Sequence, residues 1–364
     1  LDALGKGVKP GLSRADAYRL PLDIPPLPEQ RRIVAKVEEL TALLDRLEAT
    51  RTACEAARDR LTTANLALLN APDPETFQQD ARFALDLLPA ITSRADQVKA
   101  VRQTILNLAV RGKLVPQEPD DEPASALLVR IGEDVAQYCH ANAVRTMKPQ
   151  ASAEDQPFEL PAGWVWTRLA SLCRVVTDGD HQPPPRATTG VAFLTIGNVT
   201  SGSLDFKECR RVPPAYFEAL PSYRRPASGD LLYTVVGATF GRSVPVNTDE
   251  PFCVQRHIAI LKPSAQVSTA YLNRALASPF VYDQAKASAT GTAQPTIALG
   301  PLRDFLIPLP PLAEQRRIVA RVYELMGLCD GLEAALGASD TARGRLLDNL
   351  LHHALTPPSM AQAA

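Results

Sequence analysis

The chain has 364 residues, with 39 lysines and arginines against 40 aspartates and glutamates, so its net charge is −1. This length is enough for two or three domains with buried cores. The sequence has no run of 18 apolar residues and no basic-then-apolar leader, which argues against a membrane helix and a secretory signal. The six cysteines show neither a C-x-x-C pair nor metal-ligand spacing. We therefore expect a cytoplasmic protein that holds no metal and contacts no membrane.

Residues 1–20 are predicted to be the C-terminal remnant of a first domain. The short sequence at 9–12 parallels the sequence at 294–297, which lies where the central part of the chain ends. The segment therefore has the character of a domain exit. A helical region is predicted to follow it, over residues 21–146.

Residues 24–40 and 309–325 are nearly identical, and the register continues without a gap for about fifty residues at the same offset. A Pro-Pro pair precedes the helical part of each copy and blocks helix on that side. Glu29 or Glu314 then places a carboxylate in the first turn, where the helix dipole favours it. One structural unit is therefore used twice, with something different between the copies.

The apolar residues of both copies recur in alternating steps of four and three, which is the a/d pattern of a coiled coil. In the first copy they are Ile33, Val37, Leu40, Leu44 and Leu47, and in the second they are Ile318, Val322, Leu325, Cys329, Leu332 and Leu336. We predict long helices over about 28–70 and 310–355 that form an antiparallel coiled coil. An ordinary amphipathic bundle helix is the alternative.

Two shorter helices are predicted between the copies, beyond a Pro-rich break at 71–74. The first covers about 93–114 and the second about 123–143. Apolar residues at three-four spacing indicate that the first of them lies antiparallel to the long helices. They are Val98, Val101, Ile105 and Leu108. A polar linker is expected over 147–159.

The texture changes to short β-rich runs with Gly and Pro turns from about residue 160, which predicts a mixed α/β domain over 160–309. Between Pro161 and Arg303 there are 14 lysines and arginines against 9 acidic residues, while the rest of the chain has 25 against 31. An anionic partner is therefore expected at this domain. The Pro- and Ala-rich tail at 356–364 is predicted to be disordered.

The sequence shows no motif of the two catalytic classes considered, the methyltransferases and the nucleases. An amino-methyltransferase would need an Asn/Asp-Pro-Pro-aromatic motif and a Gly-rich cofactor loop, and neither is present. A nuclease would need clustered carboxylates with a lysine to hold Mg²⁺. The acids near residue 73 lie in a helix-breaking segment with no following Glu-x-Lys. We expect a chain with no catalytic residues.

Several motifs occur in an order that resembles the DNA-specificity subunit of type I restriction-modification systems. They are the doubled Ile/Leu-Pro-Pro-Leu-x-Glu-Gln-x-x-Ile-Val sequence, the helix at 101–115, Leu-Pro-x-Gly-Trp at 160–164, Thr-Asp-Gly-Asp-His at 177–181, Gly-Asp-Leu-Leu at 229–232, Val-Gly-Ala-Thr-Phe-Gly at 236–241 and Gln-Pro-Thr-Ile at 294–297. The likeness covers the chain after residue 5. It implies an α+β architecture, in which a mixed α/β target-recognition domain is flanked by long helices.

The resemblance also implies function and partners. The recognition domain would read one half of a bipartite site in double-stranded DNA. The helices would dock two methyltransferase subunits and, through them, restriction and translocase subunits. S-adenosylmethionine, ATP and Mg are expected on those partners and no cofactor on this chain. Family members usually carry two recognition domains, so either one is absent here or the chain pairs with itself or with a second partial chain. A DNA-independent coiled-coil adaptor is the alternative function.

The loop over 177–186 is the first candidate for DNA contact, because it gathers His181, Gln182 and Arg186 among stiffening prolines. A base contact is worth about 1–3 kcal/mol only when its side chain is already aimed. The alternative is a turn whose Asp178 and Asp180 cap backbone amides.

Further candidates follow along the domain. Thr239 and Arg242 lie in a Gly-rich segment that either approaches a groove or forms a buried hairpin turn, and it lacks the ending of a phosphate-binding P-loop. Arg256, Arg210, Arg211 and Gln294 complete the predicted contacts, with the Arg pair assigned to phosphates. We interpret the polar Glu-Gln-Arg-Arg motifs, Glu29 to Arg32 and Glu314 to Arg317, as anchors between domain and helix.

Overall fold

The computed structural model describes residues 14, 18, 24–70, 92, 94–147, 156–181, 184–199, 202–291 and 294–355. Most of the predicted remnant at 1–20, most of the linker and the whole tail at 356–364 lie outside these residues. The chain divides into two compact units, Leu1–Leu61 and Thr62–Ala364. No helix among the described residues is both long and apolar enough to span a bilayer.

Nine α-helices are described in these ranges, and two of them are long. They are α1 (Leu27–Asn70), α2 (Ala95–Val110), α3 (Ala124–Ala141), α4 (Leu169–Leu172), α5 (Pro214–Ala219), α6 (Thr269–Leu276), α7 (Pro279–Ser288), α8 (Leu299–Arg303) and α9 (Leu312–Leu355). The long helices α1 and α9 each contain 44 residues and include the repeated motif. The structure thus has the long helices that a coiled coil requires, while the pairing of α1 with α9 stays a prediction.

Nine strands in the described ranges form three small sheets. They are β1 (Val165–Arg168), β2 (Cys173–Asp178), β3 (Val191–Leu194), β4 (Arg210–Val212), β5 (Leu231–Thr234), β6 (Ser243–Pro245), β7 (Phe252–Val254), β8 (Ile258–Pro263) and β9 (Leu306–Leu309). The largest sheet is antiparallel with the order β2-β8-β5-β6. A second sheet has the order β4-β3-β7, with β3 parallel to β7, and β1 pairs with β9. The predicted mixed α+β class is confirmed.

The four-stranded sheet is buried on both faces. Successive side chains of a strand point to opposite sides. The two sides of β5 face two different cores. Leu231 and Tyr233 join a large core that includes α2, α3 and α9, whereas Leu232 joins a smaller core shared with the three-stranded sheet. In β8, Ile258 and Ile260 point to the smaller core. A sheet enclosed in this way is a stiff support for the loops at its ends.

The a/d seam of α9 is buried over its first four positions, Ile318, Val322, Leu325 and Cys329, each no more than 2% exposed. These residues share a core with apolar residues of α2, which is the closest packing partner of α9 among the helices of Thr62–Ala364. At the rim, Arg102 of α2 donates to Asp330 at 2.6 Å and Glu333 at 3.0 Å. Gln117, which follows the end of α2, bonds Glu314 at the start of α9, while Arg102 lies at Asp330 further along α9. The two helices therefore run antiparallel, as expected for this stripe.

The start of α9 is joined to the mixed α/β domain by buried hydrogen bonds. Trp164 Nε1 donates to Glu314 Oε2 at 2.8 Å, and Gln117 Nε2 donates to Glu314 Oε1 at 2.8 Å. Burial raises the pKa of this carboxyl, and the two donors oppose that rise. Gln315 accepts from the backbone N–H of Ser268 at 3.0 Å. The interpretation of this motif as an anchor is therefore supported by its contacts.

Arg317 completes the anchor by pairing with Asp121 at 2.6 Å, while Arg316 is exposed. The first copy repeats the local part of this geometry. Gln30 Nε2 donates to the Pro25 carbonyl at 2.7 Å, as Gln315 Nε2 does to the Pro310 carbonyl at 2.9 Å. The shared sequence therefore gives the same helix start in both places.

The apolar seam of α1 differs from that of α9 in its burial. Its five residues, Ile33, Val37, Leu40, Leu44 and Leu47, are 47–64% exposed. Glu29 is also exposed, unlike its counterpart Glu314. The same sequence pattern is thus covered in one copy and uncovered in the other.

Replacing Glu314 with Ala should lower the free energy of unfolding of the Thr62–Ala364 unit by about 2–4 kcal/mol, because two buried donors lose their acceptor. Chemical denaturation followed by tryptophan fluorescence measures this loss. The matched change Glu29→Ala alters the same motif at an exposed site and should stay within about 0.5 kcal/mol. Equal losses in the two variants would contradict the anchor.

Candidate nucleic-acid interface

Three loops meet at one end of the four-stranded sheet. β2 and β5 end there and β8 and β6 begin there, because Asp178 pairs with Ala259 and Thr234 with Ile258. The loops at 179–190, 235–242 and 255–257 therefore emerge side by side from a rigid support. We call this region the loop end of the sheet.

The first loop begins with a turn that two aspartates hold through side chains. His181 Nε2 lies 3.0 Å from a carboxylate oxygen of the buried Asp178, and Asp180 accepts a hydrogen bond from the Tyr216 hydroxyl at 2.9 Å. A Cβ on Gly179 would lie 2.0 Å from the Val254 carbonyl oxygen, so only glycine fits there. His181 remains largely exposed, with its Nδ1 on the far side of the ring from Asp178. The turn hypothesis assigned these two aspartates to backbone amides, whereas the contacts described here are with the side chains of His181 and Tyr216.

The second loop is a tight turn closed by Thr234. Its hydroxyl donates to the Thr239 carbonyl at 2.6 Å and accepts from the Arg242 amide at 3.1 Å. Gly241 has φ +85°, and a Cβ there would lie 2.8 Å from the Tyr282 ring. Hydrogen bonds and packing therefore fix the conformation of the loop although it contains two glycines. The Arg242 side chain is exposed.

The turn that contains Gln294 lies against this second loop. Gly237 donates its amide to the Pro295 carbonyl at 2.9 Å, and Val236 forms a β-bridge with Thr296. Gln294 is exposed beside them. Residues about sixty positions apart are thus brought together at the loop end.

The third loop, 255–257, is held by backbone bonds to several segments. Gln255 donates its amide to the Leu194 carbonyl at 2.9 Å and bridges Asp180, and Val235 donates its amide to the His257 carbonyl. Arg256 Nε lies 3.3 Å from His257 Nε2, and Gln255 Nε2 lies 3.0 Å from His257 Nδ1. Arg256 can only donate, so Nε2 of a neutral His257 is the acceptor and Nδ1 carries the proton. The Gln255 side chain must then present its amide oxygen, rather than its nitrogen, to Nδ1. Burial and Arg256 both lower the pKa of His257, which favours the neutral form.

A second group of cationic residues lies along β4. Ala187 donates its amide to the Arg211 carbonyl at 3.0 Å, and Arg211 Nη1 donates to the Gly190 carbonyl at 3.0 Å. Arg186 therefore lies next to the arginines of β4. Arg186 and Arg210 are exposed, and Arg211 is half-buried.

The predicted contact residues thus fall into two groups. His181, Thr239, Arg242, Arg256 and Gln294 belong to the loop end, and Arg186, Arg210 and Arg211 belong to the β4 edge. Gln182 lies outside the described residues. Their contacts with DNA stay a prediction.

Sequence reasoning missed Tyr216 as a member of this region. It lies in a short helix directly after β4, and its hydroxyl contacts the turn that carries His181. Its partner Asp180 lies 36 positions earlier, so no local spacing connects the two. Within the described residues, no group of three His, Cys, Asp or Glu side chains has metal-binding geometry.

The family comparison defines the class of this domain. Residues 187–336 match the model of the type I restriction modification DNA specificity domain. This stretch contains the second and third loops, β4 and the buried start of α9. The domain is thus a type I DNA specificity domain.

Curated relatives extend the match over most of the chain. The EcoAI specificity subunit of Escherichia coli is 30% identical over 344 residues, which are 92% of this chain and 58% of the relative. The EcoEI specificity subunit of Escherichia coli is 29% identical over 354 residues, with the same two coverages. These matches confirm the resemblance to type I restriction enzyme specificity subunits that was inferred from the motifs.

The chain spans about 58% of the length of these curated relatives. A chain from a solved structure that describes complex assembly and conformational transition of the type I restriction-modification system is 22% identical. It has a TM-score of 0.49, and the match covers 93% of this chain and 62% of that one. At these values the match adds no functional information.

Replacing Gly179 with Ala should lower the free energy of unfolding by about 1–3 kcal/mol, because the added methyl group meets a backbone carbonyl in a buried position. Thermal unfolding followed by circular dichroism measures the change. Gly197→Ala is the matched control, since its Cβ would meet no atom closer than 3.9 Å. A Gly179→Ala protein as stable as the control would contradict the packing of the turn.

Proposed function

We propose that this chain reads a half-site of a bipartite target in double-stranded DNA, as the specificity subunit of a type I restriction-modification complex. One observation carries the proposal. Within a type I DNA specificity domain, exposed polar and cationic side chains from separate loops converge at one end of a sheet that is buried on both faces. Such side chains are aimed before DNA arrives, and aim is what a base contact requires.

The two groups of side chains suit two kinds of contact. Arg242, Arg256 and Gln294 carry groups that can bond base edges in the major groove. Arg186, Arg210 and Arg211 lie along a strand edge and suit phosphates, which set register without carrying sequence information. The chain itself is proposed to be non-catalytic.

Alanine at Arg242 or Arg256 should reduce the preference for the target over other duplexes by about 1–3 kcal/mol, because a base contact is lost. Alanine at Arg210 or Arg211 should weaken binding to all duplexes alike and reduce the slope of log K against log salt by about one. The target is first selected from randomised duplexes with the full chain, and affinities are then measured by fluorescence anisotropy at several salt concentrations.

Arg145→Ala is the control, because it removes an exposed arginine that lies after α3 and outside both groups. It should leave both the specificity and the salt slope unchanged. Wild-type protein that binds no duplex at any salt concentration would favour the coiled-coil adaptor instead. An unchanged preference in both Arg242→Ala and Arg256→Ala would show that the base contacts are assigned to the wrong residues.

The helices are proposed to dock the partner subunits. By analogy with the family, two methyltransferase subunits would bind the helical region and bring restriction subunits with them. S-adenosylmethionine, ATP and Mg would act on those partners. The uncovered residues Tyr323 and Leu328 of α9, 76% and 62% exposed, offer apolar surface for such a contact.

We also propose that the exposed seam of α1 takes a second recognition module, carried either by another part of the polypeptide or by a second partial chain. Arg102 of α2 pairs with Asp330 and Glu333 of α9. The counterparts of these two acids in α1 are Asp45 and Glu48. Likewise, Arg32 is the counterpart of Arg317, which pairs with Asp121. The first copy thus keeps both the apolar seam and the charges that hold a module on the second copy.

A photo-crosslinking residue at Leu40, the counterpart of the buried Leu325, should capture a recognition-module helix in the assembled complex. Mass spectrometry would then identify a peptide that corresponds in sequence to α2. A crosslinker at Glu38 is the control, because its counterpart Tyr323 is exposed and should yield no such peptide. Crosslinks from Leu40 to a methyltransferase subunit alone would contradict a second module.

A further inference from the structure

The hydrogen bond between Tyr216 and Asp180 joins the two groups of contact residues. Asp180 immediately precedes His181 in the turn after β2. Tyr216 lies in α5, which begins two residues after β4 and its arginines. The hydroxyl donates to the Asp180 carboxylate at 2.9 Å, so one bond connects the loop end with the β4 edge.

The backbone around this bond is well fixed on both sides. Asp180 bridges Gln255, and Gly179 packs against the Val254 carbonyl. On the other side, β4 pairs with β3 and Arg211 bonds Gly190. Backbone pairing through β3 and β7 already connects these two ordered segments, and the pair adds a direct side-chain link between them.

The bond also has a chemical consequence at a surface for DNA. A free carboxylate beside a phosphate repels it, and its own solvation is lost when DNA covers it. The Tyr216 hydroxyl satisfies one oxygen of Asp180 through a hydrogen bond to a charged group, which is among the stronger kinds. Asp178 is likewise engaged by His181 at 3.0 Å. Both acids of the turn are thus used to orient neighbours.

Specific reading requires that base contacts and phosphate contacts be correct at the same time. Phosphate contacts set where the protein lies on the duplex, and base contacts test the sequence from that position. If the turn with His181 shifts relative to the β4 arginines, the phosphate contacts can form while the base contacts fail. A link between the two groups therefore acts on specificity more than on affinity.

We propose that Tyr216 and Asp180 form a positioning pair that holds the His181 turn in register with the arginines of β4 during DNA reading. This inference rests on the proposed function. Tyr216 is a positioning residue, because it acts through Asp180 and needs no DNA contact of its own. It deepens the proposed site by adding a determinant of specificity that carries no charge.

The test compares the full-chain variants Tyr216→Phe, Asp180→Ala and Asp180→Asn on the selected duplex and on a scrambled duplex. Tyr216→Phe and Asp180→Ala should each lower the ratio of specific to non-specific affinity about tenfold, since a hydrogen bond to a charged group is lost. The non-specific affinity and the salt slope should not fall, because the phosphate contacts remain. Asp180→Asn keeps an acceptor oxygen for the hydroxyl and should restore most of the ratio.

The double variant Tyr216→Phe/Asp180→Ala should be no less specific than the worse single variant, because both changes remove the same bond. Tyr223→Phe is the control, since it removes a partly exposed tyrosine hydroxyl from the same domain. A purely structural role would instead lower the melting temperature and reduce both affinities together, and Asp180→Asn would then not restore the ratio. That result would overturn the inference.

Failure of this inference differs from failure of the proposed function. If the wild-type protein shows no salt-dependent duplex binding, both the proposed function and the positioning pair are contradicted. If the wild-type protein selects a target and the Tyr216→Phe protein retains the full specificity ratio, only the positioning pair is contradicted. Additive losses in the double variant would also count against it, because independent effects imply that the two side chains do not act through one bond.

Discussion

The buried carboxylate of Glu314 is the interaction on which the arrangement of the domain and its long helix depends. An ionised group inside a protein is unfavourable unless its oxygens are hydrogen-bonded, and here Trp164 and Gln117 supply the donors. The tryptophan comes from the domain entry, the glutamine from the segment after α2, and the glutamate from the first turn of α9. Three distant parts of the chain are thereby fixed at one point.

The position of the loop end depends on the fixed register of the strands that lead to it. Alternate residues of β5 and β8 fill two different cores, so neither strand can slide by one residue without exchanging its faces. The loops then inherit the precision of the strands, and additional bonds from Thr234 and Asp180 order them further. If this surface binds DNA as proposed, it would require little rearrangement to do so.

Much of the fold followed from sequence because its signals were local or repeated. The three-four stripes predicted the helices, and the stripe of α2 correctly indicated its antiparallel packing on the buried seam of α9. The seam pattern alone, however, could not show that the seam is covered by α2 on α9 and exposed on α1, since Ile318 and Ile33 occupy equivalent positions in the repeat. The grouping of the contact residues was also beyond local reasoning, because the link from Asp180 to Tyr216 depends on how two sheets meet.

The double-sided burial of the central sheet also bears on how such proteins diversify. Substitutions in β5 or β8 disturb a core on either face, so these strands have little freedom to vary. The exposed side chains of Arg242 and Arg256 at the loop end lie outside both cores and can change at small energetic cost. If the chain reads DNA as proposed, a change of these side chains would alter the target sequence while the framework and its helices remain as they are.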